Sequence, residues 1–143
     1  MNAIRIKKLA SEARLPEKAH PTDAGYDVFA NEEALIGPGE SRLIKTGIAM
    51  ALPPLTEAQI RPRSGLALKN QITLLNSPGT IDADYRGELG IIVINHGKNT
   101  FQVTKGMKIA QMVIAPVMVT EILETDSLDD TERGTGGFGS TGL

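Results

Sequence analysis

Cysteine and tryptophan are absent from this 143-residue chain, and its only aromatic residues are two tyrosines and three phenylalanines. Without cysteine the chain can form neither disulfide bonds nor thiolate metal sites. The 15 Lys and Arg residues nearly balance the 17 Asp and Glu residues, and the net charge is -2. Because no positive field surrounds such a protein, we expect no nucleic-acid partner, and any bound phosphate must be held locally.

Long apolar runs are also missing. No window approaches the roughly 20 apolar residues of a membrane-spanning helix, and the N-terminal segment MNAIRIKKLA lacks the apolar core of a secretory signal. We therefore expect a soluble, cytoplasmic protein that contacts no membrane. The length suits one domain with a single core.

The apolar residues occur in short runs separated by Gly, Pro, Asn and Asp, a pattern that predicts strands. The predicted strands cover residues 4–7, 28–30, 41–45, 48–52, 59–63, 72–75, 88–95 and 108–119. The last two are rich in Ile and Val, so we expect them to be buried on both faces. Only residues 64–70 resemble a short helix. The pattern predicts an all-β fold, either a jelly-roll-like double sheet or a barrel.

The end of the chain has a different composition. Residues 126–143 contain few core-forming residues, and the final ten, GTGGFGSTGL, include five glycines. Glycine disfavours regular structure because ordering it costs much backbone entropy. The glycines match a dinucleotide-binding pattern, but too few residues follow for the helix that this pattern requires. We predict a mobile arm, 126–143, attached to a β-domain, 1–125, with backbone N–H groups able to surround an anion.

Two motifs carry side chains suited to chemistry, and each also has a structural interpretation. Asp82 and Asp84 could bind a divalent cation or supply a general base, but they are equally typical of an exposed turn. Arg63 and Ser64, followed by Gly65, could bind an anion. Alternatively, Ser64 could cap the short helix.

Taken in order, five segments resemble the motifs of the homotrimeric deoxyuridine triphosphate nucleotidohydrolases (dUTPases). They are AGYD at 24–27, PRSGLA at 62–67, PGTIDADYRGE at 78–88, KGMKIAQMV at 105–113 and RGTGGFGSTG at 133–142. The set extends over nearly the whole chain, which makes the resemblance specific. One departure is Thr22 and Asp23 before the first motif, where the family often has a serine.

The resemblance implies a β-clip type of jelly roll, a homotrimer and three active sites at subunit boundaries. The implied reaction is hydrolysis of dUTP to dUMP and pyrophosphate, which limits uracil incorporation into DNA and supplies dUMP for dTMP synthesis. Asp82 would be the general base that orients the attacking water, whereas Asp84 would be structural. Tyr85 would lie under the deoxyribose and leave no space for a 2′-hydroxyl.

The remaining roles implied by the resemblance concern the base, the phosphates and a metal. Backbone groups of residues 76–82 would bind uracil, and a tight approach would exclude the methyl group of thymine. Besides Tyr85, the resemblance implies that the substrate is bound by Arg63, Ser64, Gly65, Asn76, Thr80, Ile81, Gln111, Arg133, Phe138, Gly139 and Ser140. Phe138 would stack on uracil as the arm closes, and Asp27 would hold the Mg²⁺ cofactor through water. Asn76 could instead be only a turn residue.

Two other functions fit part of these features. A relative of the same fold deaminates dCTP, although the aspartate at position 82 favours water activation on phosphorus. A non-catalytic β-domain that binds partners through its surface would explain the fold but not the five motifs.

Overall fold

The computed structural model of the chain describes residues 2–142. Met1 and Leu143, the outer ends of the predicted domain and arm, lie outside the described residues. The elements are β1 Arg5–Lys8, β2 Gly25–Phe29, β3 Ala34–Ile36, β4 Ser41–Ala51, β5 Thr56–Arg61, α1 Ser64–Asn70, β6 Ile72–Leu74, β7 Gly79–Asp82, β8 Glu88–Asn95, β9 Phe101–Val103 and β10 Lys108–Pro116. The predicted all-β class and the bounds of the helix are confirmed. Within 2–142 no helix has the length and hydrophobicity of a membrane span.

Antiparallel pairing arranges the strands in three sheets. Their orders are β1-β4-β8-β6, β2-β10-β5-β7 and β3-β9. Both four-stranded sheets contribute side chains to one core, in which Ile44, Ile91 and Met112 are completely or almost completely buried. The fold is therefore a double sheet of the jelly-roll type, as the spacing of the apolar runs predicts.

Two predicted strands, 41–45 and 48–52, form the single strand β4. The pairing of β4 with β8 shifts its register between these two runs. At Gly47 φ is +72°, and a Cβ there would lie 2.8 Å from Asn31 Nδ2. A glycine in this conformation forms an irregularity within a strand without ending it. The prediction of two strands was wrong because Gly47 marks a bulge.

The sequence pattern did not predict three short strands, β3, β7 and β9. Each has three or four residues, too few to show a clear alternation of apolar and polar side chains. β10 also ends at Pro116, three residues before its predicted end. Residues 117–142 contain no helix or strand, and nearly all of them are exposed.

Burial on both faces, predicted for residues 88–95 and 108–119, is wrong for the single chain. In β8, buried residues alternate strictly with half-buried ones. The outward face includes Ile92 and Ile94 on β8, together with Leu43, which pairs with Ile92 and is 57% exposed. One apolar face of this sheet therefore remains partly in contact with solvent.

Candidate active site

Asp27 on β2 lies between two cationic side chains. Its Oδ1 is 3.6 Å from Arg63 Nε, and its Oδ2 is 3.2 Å from Lys108 Nζ. Arg63 Nη1 also donates a hydrogen bond of 3.2 Å to the backbone carbonyl of Lys108. Two positive charges against one negative charge leave an excess of positive charge, which suits a phosphate group.

Gln111 on β10 completes this group. Strand register places it beside Asp27 on one side and Arg61 on the other. Its Nε2 donates to the carbonyl of Pro62 at 3.0 Å, and a Cβ at Gly25 would lie only 2.5 Å from its Oε1. Gly25 thus makes room for the amide. We call Asp27, Arg63, Lys108 and Gln111 the cationic cluster.

Ser64 and Gly65 begin the helix directly after Arg63. The N-cap residue of the helix is Arg63, with φ -97° and ψ 134°, and no side chain caps it. The structural alternative in which Ser64 caps the helix is therefore wrong. Both residues are exposed beside the cationic cluster, where their hydroxyl and N–H groups can meet an anion.

Asp82 ends β7 and belongs to a different part of the surface. With Thr80, Ile81 and Tyr85 it lines an open cavity of 290 Å³, which we call the Asp82 cavity. The rest of its lining is Leu43, Glu88, Gly90 and Ile92. The Tyr85 hydroxyl donates to the backbone carbonyl of Glu88 at 3.1 Å, which holds the ring against the start of β8.

Two glycines shape the walls of the Asp82 cavity. A Cβ at Gly87 would collide with the Tyr85 hydroxyl, and one at Gly90 would lie 2.6 Å from Leu43 Cδ1. Sequence patterns did not identify Leu43 or Ile92 as part of this region. The available signal was Gly90, because a glycine inside an apolar strand often marks a close approach.

Asn76 lies at the exposed start of the hairpin that leads into β7. A Cβ on the buried Gly79 would lie 3.3 Å from Asn76 Nδ2. The neighbouring Ser77 Oγ donates to the Leu74 carbonyl at 2.6 Å, and the peptide bond between Ser77 and Pro78 is cis. Within residues 2–142 the Asn76 amide forms no hydrogen bond, so it is open to a ligand.

Strand register separates Asp82 from the cationic cluster of the same chain. Asp82 pairs with Glu57, whereas Gln111 pairs with Arg61, and both partners lie on β5. Four residues along a strand correspond to about 13 Å, and two strand spacings across the sheet add roughly 10 Å sideways. The backbone positions of Asp82 and Gln111 are thus about 16 Å apart by this geometry. Because strand side chains stand roughly perpendicular to the sheet, the two side chains do not close this distance to meet at one phosphorus atom within a single chain.

The arm residues form local contacts only. Arg133 Nε donates to the Gly136 carbonyl at 2.8 Å. Phe138 is fully exposed, and both it and Gly139 have positive φ angles, +50° and +86°. Ser140 is exposed as well. In the described part of the arm no hydrogen bond reaches the strands. The single chain therefore brings these residues neither to the cationic cluster nor to the Asp82 cavity.

Outside both groups, Lys105 pairs with Glu12. Lys105 Nζ is 2.6 Å from Glu12 Oε1, and both side chains are about half exposed, at 45% and 51%. The hydrogen bond from Lys105, with smaller contributions from backbone and Ser11 hydrogen bonds, lowers the pKa of Glu12 to about 2. Lys105 is therefore engaged away from Asp27.

The carboxylates of the site suit a metal that is bound mainly by substrate. Within residues 2–142, no three His, Cys, Asp or Glu side chains converge into a metal cage. Mg²⁺ on a nucleotide needs only one or two protein carboxylates, because phosphates and water supply its other ligands. The single carboxylate of the cationic cluster, Asp27, fits that requirement.

The all-β double sheet carries a cationic cluster, the distant Asp82 carboxylate and a cavity walled by Tyr85. These are the parts of a nucleoside triphosphate hydrolase. The family profile described as dUTPase matches residues 11–142. A protein of Gloeothece citriformis named deoxyuridine 5′-triphosphate nucleotidohydrolase is 64% identical over 140 residues, covering 98% of this chain and 97% of that protein. One of the same name from Clostridioides difficile is 59% identical over 143 residues and covers both chains fully. The chain belongs to the dUTPase family, which confirms the resemblance.

Solved structures agree with this assignment. The dUTPase of Staphylococcus bacteriophage 80alpha, solved with dUPNHPP, is 32% identical to this chain, with a TM-score of 0.94. The match covers 100% of both chains. A mutant dUTPase from phage phi11 of S. aureus, described with a structural Mg(II) ion, is 30% identical with a TM-score of 0.84. The match covers 90% of this chain and 100% of the phage protein.

Proposed function

We propose that this chain hydrolyses dUTP to dUMP and pyrophosphate, and so limits uracil incorporation into DNA while supplying dUMP for dTMP synthesis. The observation that carries the proposal is the full-length similarity to proteins named deoxyuridine 5′-triphosphate nucleotidohydrolase. The phage relative solved with the dUTP analogue dUPNHPP supports the same substrate. The absence of cysteine fits a reducing cytoplasm. Neither nucleic acid nor membrane is a proposed partner.

The proposed catalytic group is the Asp82 carboxylate. It accepts a hydrogen bond from a water molecule and takes a proton as the water oxygen bonds to the α-phosphorus. The bond from the α-phosphorus to the bridging oxygen then breaks, and pyrophosphate leaves. Arg63, Ser64, Gly65 and Gln111 bind the triphosphate, and their donors stabilise the charge that develops on the leaving group.

Asp27 is the proposed protein ligand for Mg²⁺, through water. The carboxylate has four lone-pair positions, so two contacts with cations leave positions for water molecules. When bound, Mg²⁺ offsets negative charge on the phosphates. Asp27 itself orients the water molecules that face it.

Recognition of uracil is proposed for Asn76 and for the backbone of Thr80 and Ile81. β7 is the last strand of its sheet, so one row of its N–H and C=O groups is unpaired and can meet the edge of a base. Uracil presents acceptor, donor, acceptor, whereas cytosine would leave buried groups unpaired. Tyr85, which walls the Asp82 cavity, is the proposed filter against a 2′-hydroxyl.

A homotrimer is proposed from the motif resemblance, and sites between subunits are proposed because one chain holds only separate halves of the site. The register places Asp82 and Gln111 about 16 Å apart, so a complete site needs Asp82 from one subunit and the cationic cluster from another. The apolar outer face around Leu43 and Ile92 supports such packing, since Ile92 is only half-buried in a single chain. After β10, Met118 and Ile122 are 83% and 96% exposed, which also favours contact with another subunit.

Residues 126–143 are proposed to close over the bound nucleotide as an arm on the 1–125 domain. Phe138 is free to stack on uracil, a contact of about 1–3 kcal/mol in comparable base–aromatic stacks. Arg133, Gly139 and Ser140 would then bind the γ end of the triphosphate. Ordering this glycine-rich segment costs entropy, so ligand is needed for closure.

The test is a panel of nucleoside triphosphates assayed for pyrophosphate, with Mg²⁺ or with EDTA. We expect dUTP to be the preferred substrate, with UTP, dCTP and dTTP far behind, and EDTA to abolish turnover. Failure to release pyrophosphate from dUTP would remove the proposed function. Ammonia release from dCTP would establish a deaminase instead.

A further inference from the structure

Asp27 has an unusual environment for a residue expected to face a hydrated cation. Each carboxylate oxygen is already within reach of a positive group, Arg63 on one side and Lys108 on the other. Arg63 is expected to bind phosphate, but neither the motif resemblance nor the helix start assigns a function to the Lys108 side chain. Its Nζ lies 3.2 Å from Asp27 Oδ2, closer than the 3.6 Å between Arg63 Nε and Oδ1.

We propose that the Lys108 ammonium group neutralises Asp27 and partly replaces the charge of the divalent cation when no metal is bound. This inference rests on the proposed function. The ammonium group neutralises Asp27 and adds positive charge where the triphosphate binds, so metal-free nucleotide meets less repulsion. The same charge opposes a cation approaching Asp27, because like charges within a few ångströms repel.

The geometry allows the ammonium group to be tested separately from the rest of the cluster. Arg63 is anchored to the backbone carbonyl of Lys108, and a side-chain substitution keeps that carbonyl. The Lys108 side chain is 45% exposed, so its replacement by methionine leaves no buried cavity. The substitution therefore removes one charge beside Asp27 while Arg63 keeps its hydrogen bond.

Lys105 offers a matched control. It lies three residues away on the same segment and is also 45% exposed, but its ammonium group pairs with Glu12. Lys105→Met therefore removes the same charge from the same region without removing a contact of Asp27. Lys108→Arg keeps the charge and tests whether charge is the property that matters.

The experiment measures binding of dUPNHPP by calorimetry, once with Mg²⁺ and once with EDTA, for the wild type and the three variants. Because such partly exposed charge contacts contribute up to about 1 kcal/mol, we expect Lys108→Met to weaken metal-free binding by about 5-fold. Binding with Mg²⁺ should weaken by less than about 2-fold, since the cation meets less repulsion at Asp27. The ratio of the two affinities, which measures how much Mg²⁺ assists binding, should thus increase by about 2- to 5-fold.

A merely structural role would weaken both measurements equally. Equal losses, no loss, or a greater loss with Mg²⁺ would each overturn the proposal, as would the same change in Lys105→Met. Recovery of the wild-type ratio in Lys108→Arg is expected, and its failure would show that charge is not responsible. Wild-type turnover of dUTP is measured in parallel: if it is absent, the proposed function fails; if it is present and the ratio is unchanged, only the role of Lys108 fails.

Discussion

Two inactive variants of this chain should restore each other's activity when they assemble together. Asp82→Asn removes the proposed base and should lower turnover by about 10²–10⁴. Arg63→Ala removes a donor to the phosphates and should lower it by about 10²–10³. Both side chains are at least partly exposed, so neither change should prevent folding.

The size of the recovery follows from the separation of Asp82 and the cationic cluster. If each site takes Asp82 from one subunit and Arg63 from a neighbour, every mixed trimer contains one site with both native residues. Random assembly of equal amounts then yields native sites at about a quarter of all positions in a cyclic trimer. Each variant alone retains about 1% or less, so the mixture should be at least about 25 times more active.

Coexpression of the two variants with different affinity tags supplies the mixed trimers, and steady-state release of pyrophosphate measures them. A chain carrying both substitutions is also coexpressed with wild type. The activity that remains shows independently whether each site is shared between subunits. Sites shared between subunits should leave about a quarter of full activity, whereas sites within one chain should leave about half. Asp84→Asn, a neutralisation two residues from Asp82, should retain turnover.

The shared site would be refuted if trimers that contain both variants, as shown by their mass, did not recover activity. An activity of one half with the doubly substituted chain would refute it equally. Either result would mean that a rearrangement within one chain closes the distance between Asp82 and Arg63, against the strand register.

Three further outcomes are expected. Truncation before Arg133 should keep the oligomer by size measurement but lose most turnover, and unchanged kinetics would exclude a catalytic arm. In Gly25→Ala the new Cβ would lie 2.5 Å from Gln111 Oε1 and displace that amide. We expect kcat/KM to fall by about 10-fold or more, because Gln111 loses its contact with the phosphates. An unchanged kcat/KM would show that Gln111 is not needed. Lys105→Met should raise the titration midpoint of Glu12, followed by NMR, from about 2 toward 4.5. Because the folded pKa is lowered, this pair stabilises the fold above pH 4.5 and loses its contribution as the pH falls toward 2.

The sequence predicted the elements with strong local patterns. The helix Ser64–Asn70 and the strand Glu88–Asn95 have their predicted bounds, since each combines a clear apolar pattern with turn residues at both ends. The bulge at Gly47 was misread because a glycine within a strand and a glycine in a turn look the same in sequence. Strands of three residues, such as Ala34–Ile36, are set by pairing with a distant strand and leave little local pattern.

For the candidate site, the sequence proposed residue types but not their arrangement. Motif resemblance identified Asp27, Arg63 and Gln111, which the structure brings together. It gave no sign that Lys108 contacts Asp27, because that ion pair depends on the register between β2 and β10. The separation of Asp82 from Gln111 likewise depends on register across three strands, which no local motif encodes.

That separation also has a chemical advantage for Asp82. A general base needs a free lone pair, and a carboxylate beside Arg63 and Lys108 becomes ion-paired, as Asp27 is. Among residues 2–142 Asp82 forms no salt bridge, because the strand register keeps it away from the cationic cluster of its own chain. A neighbouring cluster, once occupied by a triphosphate, presents negative charge that competes for the cations. In the shared site that we propose, the strand register thus keeps the base unpaired within its own chain, and bound triphosphate limits its pairing with the neighbouring cluster.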